Sequence, residues 1–196
     1  MDMREDLSDG RLWELAAGGE AWAFGQLFER HHNAVYNFCF RRTASWDMAE
    51  EITSIVFLEF WRRRREVALV GESIRPWLFG VATNVTRSQR RALGRYQAVV
   101  RRLPAHDVVA DPADDVAGRL DDERRMARVL DAVHALPRRE QDVLALCVFA
   151  ELDYESAATA LAIPVGTVRS RLSRARSRMR KHLAATSGHP PIVRSS

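Results

Sequence analysis

The sequence predicts an all-α protein made of two small helical domains joined by a flexible acidic linker, the second domain carrying a helix-turn-helix. Three observations predict it. Apolar residues recur at helical spacing on either side of a central stretch that lacks such a stripe and is rich in aspartate and proline. A short helix, a proline-marked turn and a strongly basic helix follow one another near the carboxyl end. Charge is also uneven: residues 1–95 hold 14 bases and 13 acids, residues 96–127 hold 5 and 7, and residues 128–196 hold 11 and 6. Three segments with different tasks are implied, and the chain of 196 residues with 46% apolar composition is long enough to build a core in each domain.

Residues 1–10 are expected to be disordered, and the first domain to span residues 11–98. Within it, Asp47-Met48-Ala49-Glu50 reads as an amino-terminal cap followed by a carboxylate three residues on. The helix it opens places Ile52, Ile55, Val56 and Phe60 on one face, while Phe57, Leu58 and Trp61 leave that face. Such a helix is either buried on two sides or offers an apolar patch to a partner. Arg62 to Arg65 suit the negative end of its dipole. After the loop Leu69-Val70-Gly71-Glu72-Ser73, a second helix starts near Pro76 and turns Trp77, Leu78, Val81, Ala82 and Val85 inward. Its far end carries Asn84, Arg87, Gln89, Arg90, Arg91 and Arg95, a composition that fits a nucleic-acid surface or an ordinary exposed helix.

Residues 99–127 read as the linker, on the strength of Leu103-Pro104 and Ala110-Asp111-Pro112-Ala113-Asp114-Asp115. The second domain then covers residues 128–184 and leaves 185–196 as a disordered tail. Leu136-Pro137 opens a segment with Val143, Leu144, Leu146, Val148 and Phe149 at apolar helix positions. Asp153 caps a short helix whose Ala157, Ala158 and Leu161 permit close helix crossing, and which ends at Ile163-Pro164 because a residue before proline is pushed out of the helical region. From Ile163 to Lys181 the chain holds seven positive charges and no acid. On a helical projection Val168, Leu172, Ala175, Met179 and Leu183 fall within an arc of about 80°. Ser170, Ser173, Arg174, Ser177 and Lys181 stand opposite, and arginines flank the stripe on both sides. A helix that packs along one edge and shows short polar groups between arginines fits a major groove with a phosphate wall on either side; a solvated basic helix is the plainer alternative. Of the 30 basic residues only Lys181 is a lysine, and arginine favours bidentate contacts to phosphate and guanine.

No run of eighteen apolar residues exists, and the acidic start Met1-Asp2-Met3-Arg4-Glu5-Asp6 lacks the apolar core of a signal peptide, so a cytoplasmic protein without membrane insertion is expected. Cys39 and Cys147 lie far apart without Cys-x-x-Cys spacing and are expected as buried free thiols. Adjacent His31 and His32 point to different sides of a helix, so with Glu29 they suggest packing or surface roles rather than a metal site. No metal, cofactor or small-molecule substrate is expected, and no catalytic residue is assigned.

Four blocks in fixed order carry a resemblance. Asp47-x-Ala49-Glu50-Glu51-Ile52-x-x-x-Val56-Phe57-Leu58-x-x-Trp61 comes first, then Trp77-Leu78-x-x-x-Ala82-x-Asn84-x-x-x-x-x-Arg90-Arg91. Leu136-Pro137-x-x-x-Gln141-x-Val143-Leu144-x-Leu146 and the run from Tyr154 to Arg176 complete the set. Together they resemble the extracytoplasmic-function group of the bacterial sigma-70 family, which keeps the two domains called region 2 and region 4. The resemblance implies a promoter-specificity subunit, not an enzyme, that binds core RNA polymerase and promoter DNA and is held in check by an anti-sigma factor.

It also implies roles. Glu50, Glu51, Ser54, Phe57, Leu58 and Trp61 would dock on the polymerase; Ser54 and Ile55 stand where the family commonly has a glutamine and an acidic residue. Gly71, Glu72 and Ser73, with Asn84, Arg87, Arg90 and Arg91, would hold the melted promoter element, where capturing an unpaired base offsets part of the few kcal/mol of unstacking. Thr167, Arg169, Ser170, Arg171, Ser173, Arg174, Arg176 and Arg178 would bind the upstream element. The acidic linker would enter the polymerase channels or serve as a solvated spacer. A free-standing helix-turn-helix regulator is the alternative function, and the apolar docking helix followed by a basic helix argues against it.

Overall fold

A computed structural model describes residues 7–66, 69, 72–100 and 115–187. Among them the chain forms eight α-helices and one π-helical turn, and no strand. In the first domain these are α1 (Asp9–Gly18), α2 (Ala21–Thr43), α3 (Trp46–Arg63) and α4 (Arg75–Val100). The second comprises α5 (Asp115–His134), α6 (Arg138–Leu144), a π turn (Ala145–Phe149), α7 (Tyr154–Leu161) and α8 (Val165–Ser187).

Local chemistry sets the breaks. Ser8 caps α1 by accepting from the Arg11 N–H, and α1 stops at Gly19, whose φ of 107° a side chain would strain. Helix α2 ends at Ala44 in the left-handed region. The expected cap at Asp47 is displaced by two residues: Ser45 Oγ accepts from the Met48 N–H, and Asp47 lies in the first turn, where its charge suits the dipole. The three helices pack through an aromatic cluster in which Phe60 stacks on Trp13 at 4.9 Å and on Phe24 at 5.2 Å, and Phe38 meets Phe79 of α4 at 5.0 Å.

Three expected boundaries of the unstructured segments fall elsewhere. Residues 7–10 are ordered because Asp9 turns inward to bond His31, while residues 1–6 lie outside the described residues. Of the linker, residues 101–114 lie outside the described residues, but residues 115–127 are helical and belong to α5. Its apolar positions are sparse until Leu130 and Val133, which are buried, and its early turns are held by polar contacts instead: Glu123 Oε1 accepts from the Trp46 N–H at 2.8 Å. Of the expected tail, residues 185–187 continue α8, and residues 188–196 lie outside the described residues.

In the second domain Pro137 starts α6, and Asp153 caps α7 by accepting from the Ser156 N–H at 2.7 Å, a bond that holds its carboxyl below the usual range. Helix α7 ends at Ala162, with φ of 51°, so the chain has already left the helix before Ile163-Pro164. The two domains pack against each other, with α7 crossing α4. Gly80 makes that crossing possible, since a Cβ there would lie 2.7 Å from the Ala160 carbonyl oxygen.

Candidate nucleic-acid interface

Helix α8 is positioned by its apolar stripe. Val168, Leu172 and Ala175 are buried against α6 and α7, and Met179 is half-buried. The opposite face is open, with Arg169, Ser170, Ser173 and Arg174 exposed and Thr167 and Arg171 half-buried. Arg169 lies over the Tyr154 ring at 5.7 Å, and Arg174 Nε donates to the Ser170 carbonyl at 3.2 Å. Arg138 and Arg139, at the start of α6, line the same groove as Thr167, Ser170, Arg171 and Arg174. Sequence reasoning passed over this pair. Its signal was two arginines in the first turn of a helix, where positive charge opposes the dipole and is out of place unless an anion is met there.

The other two arginines assigned to the upstream element lie away from this groove. Arg178 forms an ion pair of 3.2 Å with Glu140, itself 5% exposed, and so pins α8 to α6. Arg176 sits beside Val129, Val133, Leu144, Val148, Phe149 and Met179 along an apolar groove on another side of the helix.

In the first domain Asn84, Arg87, Arg90 and Arg91 lie along α4, Asn84 and Arg91 being exposed and Arg87 and Arg90 half-buried. Arg87 and Arg90 are drawn against the second domain: Arg87 Nε donates to Asp142 at 3.0 Å and Arg90 Nη1 donates to the Gln141 side chain at 3.2 Å. Burial pushes the Arg90 guanidinium below its ordinary range, and the neighbouring Arg138 charge adds to this. Gly71 lies outside the described residues, Glu72 is exposed, and Ser73 Oγ donates to Asp9 at 3.4 Å. Asp9 also accepts from His31, Arg30 and the Ile74 N–H. Burial pushes the Asp9 carboxyl up, but these bonds and the His31 charge outweigh it and hold it at about 2.

The face assigned to docking is polar at its centre. Glu50, Glu51, Ser54 and Leu58 are exposed, and Glu51 accepts from Gln89 at 2.8 Å. Phe57 is 4% exposed and packs edge-on against Phe28, so it belongs to the core rather than to a docking surface. Trp61 is half-buried between Phe24 and the guanidinium of Arg64, which lies 4.1 Å over its ring. Phe28, 37% exposed, is the apolar neighbour that sequence reasoning missed. Of the paired histidines, His31 is buried on Asp9 and His32 lies between the Phe28 and Tyr36 rings. Cys39 is a buried free thiol, whereas Cys147 is free but half-buried.

Comparison with known proteins decides what this pairing of domains is. Residues 27–96 match Sigma-70 region 2 and residues 126–179 match Sigma-70 region 4. The chain is 32% identical over 188 residues to the ECF RNA polymerase sigma-E factor of Haemophilus influenzae, covering 89% of this chain and 94% of that protein. The chain belongs to the extracytoplasmic-function (ECF) sigma factors. This sigma factor is also 32% identical over 148 residues to the RNA polymerase sigma factor HrpL of Pseudomonas syringae pv. syringae, covering 74% of this chain and 79% of that one. Its fold is shared with CnrH in complex with the cytosolic domain of CnrY, at a TM-score of 0.68 and 24% identity over 91% of this chain and 99% of that one. It also resembles the sigma factor RpoE in complex with the anti-sigma factor NepR from Bartonella quintana, at a TM-score of 0.60 and 25% identity over 82% and 96% of the two chains. As a sigma factor it is a transcription initiation factor. Among the described residues no helix is long and apolar enough to cross a membrane.

Proposed function

We propose that this sigma factor acts in the cytoplasm on core RNA polymerase, placing its two domains on two promoter elements and lending the polymerase specificity without catalysis of its own. The observation that carries the upstream half is the division of α8 into a buried edge, Val168, Leu172 and Ala175, and an open edge, Ser170, Ser173 and Arg174. Short hydroxyls beside arginines offer donors and acceptors to base edges, and Arg138, Arg139 and Arg171 supply charge for phosphates. Helix α4 with Asn84, Arg87, Arg90 and Arg91 holds the melted strand, and the exposed Glu50, Glu51, Ser54 and Leu58 of α3 dock on the polymerase. The likeness to a sigma factor captured with its anti-sigma factor supports a protein antagonist of that kind as a further partner.

The test is run-off transcription from fragmented genomic DNA with purified bacterial core polymerase, with and without the protein, sequencing the new starts. Starts that share two spaced upstream motifs are expected. DNA binding without core-dependent starts would instead identify a free-standing helix-turn-helix regulator.

A further inference from the structure

Where α2, α4 and α6 meet, a small cleft is lined by Arg42, Arg87, Arg90, Arg138, Gln141 and Asp142. Four guanidinium groups thus stand around one carboxylate, a formal excess of three positive charges. Both oxygens of that carboxylate are taken. One pairs with Arg42 Nη2 at 3.0 Å, both side chains being 3% exposed, and the other accepts from Arg87 Nε at 3.0 Å. Gln141 turns its amide nitrogen to the Leu136 carbonyl at 2.8 Å and leaves its oxygen to Arg90 Nη1 at 3.2 Å.

What remains in the cleft is donor capacity. Arg42 Nε is buried without a hydrogen-bond partner, a state that folded proteins seldom tolerate. Arg138 is exposed and forms no ion pair among the described residues. The surplus charge is felt by each neighbour. Burial pushes the Arg42 guanidinium below its ordinary range; the Asp142 carboxylate opposes this, and the Arg90 and Arg87 charges add to it. Burial likewise pushes down the His134 imidazole at the end of α5, where the charges of Arg90 and Arg42 act against that of Asp131. The cleft has a free volume of about 30 Å³, two to three times the roughly 10–15 Å³ that one water requires. That is room for one small oxyanion, and not for a nucleoside or a nucleic-acid strand while the domains pack as they do.

We propose that this cleft binds a single phosphate group, as free orthophosphate or as the terminal phosphate of a small phosphorylated ligand, on Arg42, Arg90 and Arg138. The planar fork of arginine matches paired phosphate oxygens, and the anion supplies the acceptors that Asp142 and Gln141 have already given away. Arg42 and Arg90 belong to the first domain and Arg138 to the second, so the bound group joins the two. The rest of a larger ligand projects into solvent past Arg138. The site is separate from the groove of α8: Arg138 lines both, whereas Arg139, Thr167, Ser170, Arg171 and Arg174 line the groove alone. It goes beyond the promoter reading, since it is filled in the free protein and needs neither polymerase nor DNA.

The test titrates inorganic phosphate into the full chain by calorimetry in chloride-free buffer of fixed ionic strength, with adenosine monophosphate as a second ligand. Melting points are recorded in phosphate and in chloride of equal ionic strength. Parent, Arg138→Gln and Arg139→Gln are compared, because each substitution removes one charge from an exposed position and only the first touches the cleft. One saturable phosphate site per chain is expected, with a melting point higher in phosphate than in chloride. Arg138→Gln should weaken phosphate binding at least about tenfold, and Arg139→Gln less than about twofold. Adenosine monophosphate binding as tightly as phosphate would assign the site to a phosphorylated ligand, and weaker binding to free orthophosphate. Absence of a saturable site in the parent would overturn the proposal. So would an Arg138→Gln loss no greater than that of Arg139→Gln, which is what screening of a basic surface would give. Either failure leaves the genomic run-off result standing, because transcription from new starts does not depend on whether the cleft holds an anion.

Discussion

Asp9 of α1 and His31 of α2 share a buried contact of 2.7 Å, and through the same carboxylate they hold Ser73 and Ile74 at the foot of α4. One acidic residue therefore fixes the approach of the segment before α4, which belongs to the surface assigned to the melted strand. Since the folded carboxyl titrates at about 2, against an ordinary value of 3.8, the ionised form is the one that folding favours. Its stabilisation is present above the ordinary value and is lost as pH falls towards 2. Asp9→Asn is expected to lower the stability of the first domain by about 2 kcal/mol at neutral pH. Urea unfolding from pH 7 to pH 2 should show the gap between parent and variant closing over the acidic part of that range, and a gap independent of pH would refute the linkage.

Arg174 and Arg178 differ in what they touch. Arg174→Ala should lose about 1–3 kcal/mol of discrimination between the cognate upstream element and an altered one, with core binding and thermal stability retained. Arg178→Ala leaves Glu140 buried without its partner and should instead lower the melting point, by an amount equivalent to about 1 kcal/mol, with little change in discrimination. Competition binding with the holoenzyme and a thermal melt of each variant separate the two effects.

On α3 the exposed and buried apolar residues should behave oppositely. Leu58→Arg is expected to weaken association with core polymerase at least about tenfold while leaving the circular dichroism melt unchanged, because Leu58 is 55% exposed. Phe57→Ala opens a cavity beside Phe28 and Phe60 and should cost about 3–5 kcal/mol of stability. If Leu58→Arg bound core polymerase normally, the docking face would have to be sought elsewhere.

The two thiols should be distinguishable by reactivity. Burial pushes Cys39 up to about 12, beyond the help of its Thr53 hydrogen bond and the Arg42 charge, whereas Cys147 is raised less and is half-buried. Alkylation at pH 8 should modify Cys147 first and Cys39 only on unfolding, which peptide mass spectrometry would read directly. Equal rates in the folded protein would contradict the packing of α2.

What could be read in the chain was whatever has a local period or a local cap. The stripe Val168, Leu172 and Ala175 and the cap at Asp153 are both of this kind, and both stand as expected. The upstream reading face followed from them because burying one edge of a helix leaves the opposite edge exposed. The Arg42–Asp142 pair had no such signal: its partners lie 100 residues apart, and charged side chains show no periodicity that reveals whom they will meet. Phe57 was misplaced because a helix that is apolar almost all round does not say which side is covered twice. Helix α5 was hidden by its sparse early apolar residues, and Asp9 by its place in an acidic terminus where order depends on a histidine further along.

The division of α8 bears on how such a protein changes over evolutionary time. Ser170, Ser173 and Arg174 contribute nothing to the packing of the second domain, while Val168, Leu172 and Ala175, one or two positions away, supply it. On the proposed reading of the exposed edge, vocabulary and grammar are thus written on separate edges of one helix. Where that reading holds, mutation rewrites the first without unsettling the second, and descendants of this chain would acquire new sets of genes by single substitutions in a fold that does not register the change.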